Sequence, residues 1–259
     1  MRANKILKLF LACCACIGLL HCQREALAPV NLSVMSSADD SAVPDSVRMS
    51  YYEDAARLAL RELGKAGDLA DAPVELPGEL VDSFYQALVL VYNAVALPAR
   101  HAVVEQYNIH TFRWPESYRL AIGVDSTQAW VQALRRGESF TGDPQVDLLL
   151  QDFRLRFGSY EQRKKLLVLL AQKPLNMAAL AKRFAALSGV YHAEPYDPVL
   201  VARDGGDIGA TFEGEILNLY YKLGWGDCPS GCLHGHSWHF RIHSNNLVEF
   251  AGEWGDQLP

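Results

Sequence analysis

At Tyr118 the spacing of apolar residues along the chain changes, and that change limits the folds open to it. Before this point apolar residues recur every three or four positions: Tyr52, Ala55, Ala56, Ala59 and Leu63, then Phe84, Ala87, Leu88, Val91 and Val95. Such spacing paints one stripe on an α-helix. After it, Tyr118, Leu120, Ile122 and Val124 alternate with Arg119, Ala121 and Gly123, the period of a strand with two unlike faces. Helices first and strands later predict an α+β fold.

The punctuation supports these elements. Gly64 stops the first helix, DAPVELP is a loop, and a second helix begins near Gly78 with Glu79 and Asp82 where the helix dipole favours carboxylates. Pro98 opens a third, short helix through ARHAVVEQY. Beyond the strand at Tyr118, TQAWVQALRRG and QVDLLLQ read as helical. Phe153, Leu155 and Phe157 alternate as a strand, and KLLVLL (165–170) is a buried central strand. Asn176 is placed to cap a helix with the stripe Met177, Leu180, Ala181, Phe184 and Leu187, and Gly189 is expected at its C′ position. VYHAEP is a short strand. The order over 116–195 is strand, helix, strand, strand, helix, strand, a ferredoxin-like βαββαβ unit. The stretch LAKRFAALSGVYHAEP also resembles the end of subtilase propeptides, with Tyr196 where those carry Asn. That resemblance implies the same fold and, as one functional alternative, a protease-inhibitor-like module. EGEILNLYYKL and HSWHFRIHSNNLVEFAGEW then form an antiparallel meander over 207–254, its last pair joined at Ser244-Asn245-Asn246.

The N-terminus is a targeting segment. Arg2, Lys5 and Lys8 precede an apolar run from Leu9 to Leu20, which suits a secretory signal and is too short for an ordinary membrane span. Leu19-Leu20-His21-Cys22 resembles the lipobox of bacterial lipoproteins, in which the cysteine carries the lipid, although His21 stands where a small residue is usual. Cys13, Cys14 and Cys16 are competing positions. The expected division is a signal peptide over 1–21, a flexible tether over 22–48, and a single folded unit over 49–259 whose helical part covers 49–112. Removing residues 1–21 takes three of 24 basic residues and none of 30 acidic ones, leaving 21 minus 30, a net charge of −9. With no basic stripe, nucleic acid is excluded as a partner. The expected partners are the membrane, through the lipid, and an envelope protein or ligand.

The densest chemistry lies in GDCPSGCLHGHSWHF, residues 226–240. Outside the cytoplasm, Cys228 and Cys232 default to a disulfide, and Pro229, Ser230 and Gly231 are turn residues that let the sulfurs meet. The alternative is zinc held by Cys228, Cys232, His236 and His239. Two objections stand against it: all four ligands lie within a dozen residues, and on a strand His236 and His239 face opposite ways. His234, His236, Trp238, Phe240 and Ile242 share one face, and His239, Arg241 and His243 the other, towards solvent. His234 and His236 can also bind a metal with Glu215, or do acid–base work with Asp227. Against both stands the plainer reading that these histidines hydrogen-bond loop carbonyls.

Two further clusters carry polar residues. Arg100, His101 and Glu105 share a helical surface, with His110 as a conceivable fourth member. Asp197, Asp204 and Asp207, with Gly205-Gly206 between the last two, offer oxygens to calcium, although Asp-Gly-Gly-Asp is first of all a turn. No GxSxG, GxxxxGK[ST], GxGxxG or HExxH pattern occurs.

Taken together, GWGDCPSGCLHGHSWHF, LPARHAVVEQYNIHTF, GVYHAEP and DGGDI resemble a group of exported bacterial proteins whose activity is unassigned. The resemblance spans roughly 50–245 and implies architecture and export. The expected function is an exported, lipid-anchored cell-envelope protein with a non-enzymatic binding or structural role; the alternative is a hydrolase centred on His234 and His236.

Overall fold

The computed structural model describes residues 32–197, 205–228 and 231–259. The expected signal peptide, Cys22 and Asp204 lie outside the described residues. Residues 31–259 form one unit that contains two separate apolar cores.

The first core joins a helix pair to a five-stranded sheet. Helix α1 (Asp45–Ala66) buries Tyr51, Ala55, Leu58 and Ala59, spaced at three and four residues. Helix α2 (Gly78–Asn93) buries Phe84, Ala87, Leu88 and Val91, and packs against α1. Strands β1 (Leu32–Met35), β6 (Gly206–Glu213), β7 (Ile216–Trp225), β8 (His234–Ile242) and β9 (Leu247–Gly255) form a sheet of order β1-β9-β8-β7-β6, antiparallel throughout. Its inner face gives Ile208, Leu219, Tyr221, Trp238, Phe240 and Val248 to the helices. Beyond α2, the short α3 (Pro98–Arg100) continues as a π-helical turn (His101–Gln106), and Tyr107 then lays its ring 5.8 Å from that of Trp238.

The second core is the ferredoxin-like unit. Strands β2 (Arg119–Val124), β3 (Leu155–Glu161), β4 (Leu166–Ala171) and β5 (Val190–Pro195) pair antiparallel in the order β3-β4-β2-β5. Helices α4 (Ala129–Arg135), α5 (Pro144–Asp152) and α6 (Met177–Ala185) cover the face bearing Leu120, Ile122, Val124, Leu167 and Leu169. The apolar run of β4 is central, as its composition predicts. Asn176 caps α6 by accepting from Ala179 N, and its amide donates to Leu69 O and Pro73 O, stitching the 69–74 segment onto this core. Gly189 does not end α6. The helix closes at Ala186 in right-handed geometry, and Gly189, at φ 79°, turns the chain into β5.

The expected tether over 22–48 is corrected for its described part. Leu32–Met35 completes the sheet edge beside β9, Ser36 Oγ donates to Leu90 O at 2.7 Å, Val43 is buried, and α1 begins at Asp45. Serine and aspartate here serve as turn formers: Asp39 accepts from Ser41 N and Ser41 Oγ, and Asp40 accepts from Tyr85 Oη. We expect Val43→Ala to cost on the order of 2 kcal/mol. Removing residues 32–48 should cost more than that single change, as read by urea unfolding.

Candidate functional site

The residues around GDCPSGCLHGHSWHF occupy one end of the five-stranded sheet. Cys228 and Cys232 are bonded to each other, closing the connection between β7 and β8. The staple sits against bare backbone: a Cβ on Gly224 would lie 2.5 Å from Cys232 Sγ. The Cys2His2 zinc set is thereby dismantled. Its sulfurs are joined, His236 turns to the inner face, and His239 to the outer.

His236 is largely buried. Its Nδ1–H donates to Asp256 O at 2.8 Å, and Glu253 Oε2 stands 3.8 Å from Nε2. His234 stacks on Trp225 with ring centroids 5.7 Å apart, and its Nδ1 lies 3.4 Å from Asp256 Oδ2. The carboxylates beside these histidines are thus Glu253 and Asp256, from the end of β9. Glu215 is in the turn before β7, whose opposite end pairs with His234, roughly 30 Å away at ~3.3 Å per residue. Asp227 is exposed in the turn after β7, and neither histidine has it as an ion-pair partner among the described residues. Among the described residues no three His, Cys, Asp or Glu side chains converge as a metal site.

The second polar cluster is also divided. His101 and Glu105 meet at 2.6 Å, and Arg100 pairs with the same carboxylate while lying over the Tyr92 ring. Arg100, then His101, hold the Glu105 carboxyl below its ordinary range. His110 belongs elsewhere. Its Nδ1 is 2.6 Å from Oδ2 of the buried Asp54, whose Oδ1 accepts from Thr111 N and Thr111 Oγ1. This hydrogen bond raises the His110 pKa against the opposing effect of burial. Two turns on along α1, Arg61 donates to Phe112 O, Trp114 O, Ile208 O and Asp207 Oδ1. Asp207 is therefore bound by a guanidinium and by Phe112 N, the opposite of a free oxygen ligand for calcium. Asp54 was missed in the sequence, although an acid inside the stripe Tyr51-Ala55-Leu58 is itself a signal of a buried pair.

The outer face of the sheet, opposite α1 and α2, carries a different constellation. Tyr220 on β7 stands beside His239 on β8, their rings stacked at 4.5 Å and 20°. The rings of Tyr220 and Trp254, the latter on β9 and half exposed, meet edge to face with centroids 6.4 Å apart. His239 Nε2–H donates to Asn218 Oδ1 at 2.8 Å, while burial, with Arg241 nearby, lowers its pKa and favours the neutral ring. Arg241 and His243 both reach Glu249, at 3.5 and 3.1 Å. His239 and His243 do lie on the expected face, but each is partly buried and held by a partner. No family model, curated protein or solved structure matches this chain.

Two outcomes follow. His110, facing Asp54, Glu53 and Arg57, has a raised folded-state pKa, so its stabilisation is complete below about pH 6.5 and is lost as pH climbs through the folded value. Thermal melts from pH 5.5 to 8.5 should show that decline in the natural protein and a flatter profile in His110→Gln. Opening the short disulfide with Cys228→Ser and Cys232→Ser together should cost about 2 kcal/mol or less in urea unfolding.

Proposed function

We propose that this is an exported cell-envelope protein, held at the membrane through lipid on Cys22, which binds a partner non-enzymatically through the outer face of its five-stranded sheet. The observation that carries this reading is the Tyr220–His239–Trp254 ring group on the face opposite the helices. Large rings on a sheet face are ordinarily buried under a second layer; here Trp254 is half exposed, and Lys222, beyond Ser237 in the same cross-strand row, is exposed. Aromatic side chains with polar neighbours bring contact area at little conformational cost, which suits recognition. The stapled end supports the same reading. His236 is engaged by the Asp256 carbonyl, and Glu215 is at the far end of β7, so the parts of the expected hydrolase do not face one another.

Membrane attachment is tested by Cys22→Ala, which should abolish incorporation of labelled palmitate and move the protein to the soluble fraction. Incorporation that persists in Cys22→Ala would transfer the anchor to another cysteine. Binding is tested by retention of the full chain on washed envelope fractions. Tyr220→Ala and Trp254→Ala should each reduce retention at least tenfold without changing the far-ultraviolet spectrum. Equal retention by all three proteins would overturn the reading.

A further inference from the structure

The outer face forms a grid whose rows can be read across the strands. The central row is Gly209, Tyr220, His239 and Gly252, from β6, β7, β8 and β9. On one side runs Thr211, Asn218, Arg241 and Glu249; on the other, Asp207 (held by Arg61), Lys222, Ser237 and Trp254. The ring pair is therefore flanked on both sides by residues without side chains. A Cβ built on Gly252 would meet nothing within 4 Å, although its φ of 137° reserves the position for glycine. A Cβ on Gly209 would touch only Tyr220, at 3.9 Å, an ordinary contact in a conformation open to any residue. Glycine at Gly209 is thus required neither by its backbone nor by crowding, and in a strand interior it costs stability. What it leaves is a shallow trough beside the rings. From Gly209 to Gly252 the row crosses three strand spacings, roughly 14 Å at ~4.8 Å each.

The chemistry of the grid selects among ligands. Arg241 is committed to Glu249, which leaves Lys222 as the one cation of these rows without a carboxylate partner among the described residues. A phosphate backbone needs several free cations. An extended peptide gains its affinity at a strand edge, where backbone groups are unpaired, and this row lies mid-sheet. Apolar chains would leave the hydroxyls of Thr211, Ser237 and Tyr220 unmatched. A pyranose ring fits both demands: its C–H face packs on an aromatic ring, and its equatorial hydroxyls point sideways to polar neighbours.

We infer that the Gly209–Tyr220–His239–Gly252 row, with Trp254 at its rim, is a binding trough for a glycan chain, Tyr220 and Trp254 supplying stacking surfaces and Ser237, Thr211 and Lys222 the polar contacts. This rests on the binding reading of the outer face given above and names its ligand class. Orientation of the ring pair belongs to Asn218, a positioning residue that holds His239 through Nε2.

The test uses the purified full chain on an array of bacterial and model oligosaccharides, with calorimetric titration of the strongest hit, and repeats both with Gly209→Val and Trp254→Ala. Gly209→Val fills the trough while giving the strand a β-branched residue, so its melting temperature should stay the same or rise as affinity falls at least tenfold. Trp254→Ala should weaken the same glycan by a similar factor. A blank array overturns the inference, as does a hit that both variants bind as tightly as the natural protein. Envelope retention of Tyr220→Ala and Trp254→Ala separates the two levels. Retention lost in these variants beside a blank array keeps the binding face and rejects the glycan; retention equal to the natural protein beside a blank array rejects both.

Discussion

The placement of the outer face depends on the parity of β8. Trp238, Phe240 and Ile242 bury themselves beneath α1 and α2, and because successive side chains point to opposite faces, His239 and Arg241 are driven outward. A slip of one residue would exchange the two sets, at the cost of exposing an indole and a phenyl ring. Neighbouring β7 obeys the same rule, with Leu219 and Tyr221 inside and Asn218 and Tyr220 outside. The stack of Tyr220 on His239 is thus a by-product of core burial on the reverse side. The disulfide and the glycines at the sheet end let the β7–β8 connection close tightly against this arrangement.

A second constraint joins the two cores. The 107–117 segment has few backbone partners of its own and is held by two charged residues of α1. Asp54 takes His110 and Thr111, and Arg61 takes the carbonyls of Phe112 and Trp114 together with the start of β6. A buried carboxylate is tolerable only when such donors surround it, and losing one leaves a charge without compensation. Asn176 plays the neutral counterpart, using one side chain to cap α6 and to bind two loop carbonyls. Side-chain hydrogen bonds thus tie the helix pair to the 107–117 segment and to β6, and tie the 69–74 segment to the ferredoxin-like unit.

Much of this was legible in the residues. Periodicity located α1, α2, the βαββαβ order and the meander, because a half-buried helix or strand repeats its pattern over many positions. The pairing of Cys228 with Cys232 followed from four-residue spacing and turn formers. What escaped were features without a repeat. Leu32–Met35 is too short to show alternation, and its pairing with β9 joins residues some two hundred positions apart. Ser36, Asp39 and Ser41 have the composition of a tether while acting as turn and capping groups. His101 and His110 are near in sequence, yet one stays with Glu105 and the other crosses to Asp54. Which carboxylates meet His234 and His236 was misread because Glu215 and Asp256 lie at similar distances along the chain: Glu215 falls at the wrong end of β7, whereas Asp256 arrives through the pairing of β9 with β8.

By itself, the sequence determined the helices and strands whose apolar spacing repeats over many positions, which face of each is apolar, and the turn chemistry that lets Cys228 and Cys232 meet. Those are local matters, decided by side-chain spacing and turn chemistry within about a dozen residues. Tertiary structure alone decided the strand order β1-β9-β8-β7-β6, the burial of Asp54, and the alignment of Gly209, Tyr220, His239 and Gly252 into one row. Such neighbours come from four different strands, and only the register of backbone hydrogen bonds between them sets which residues stand side by side.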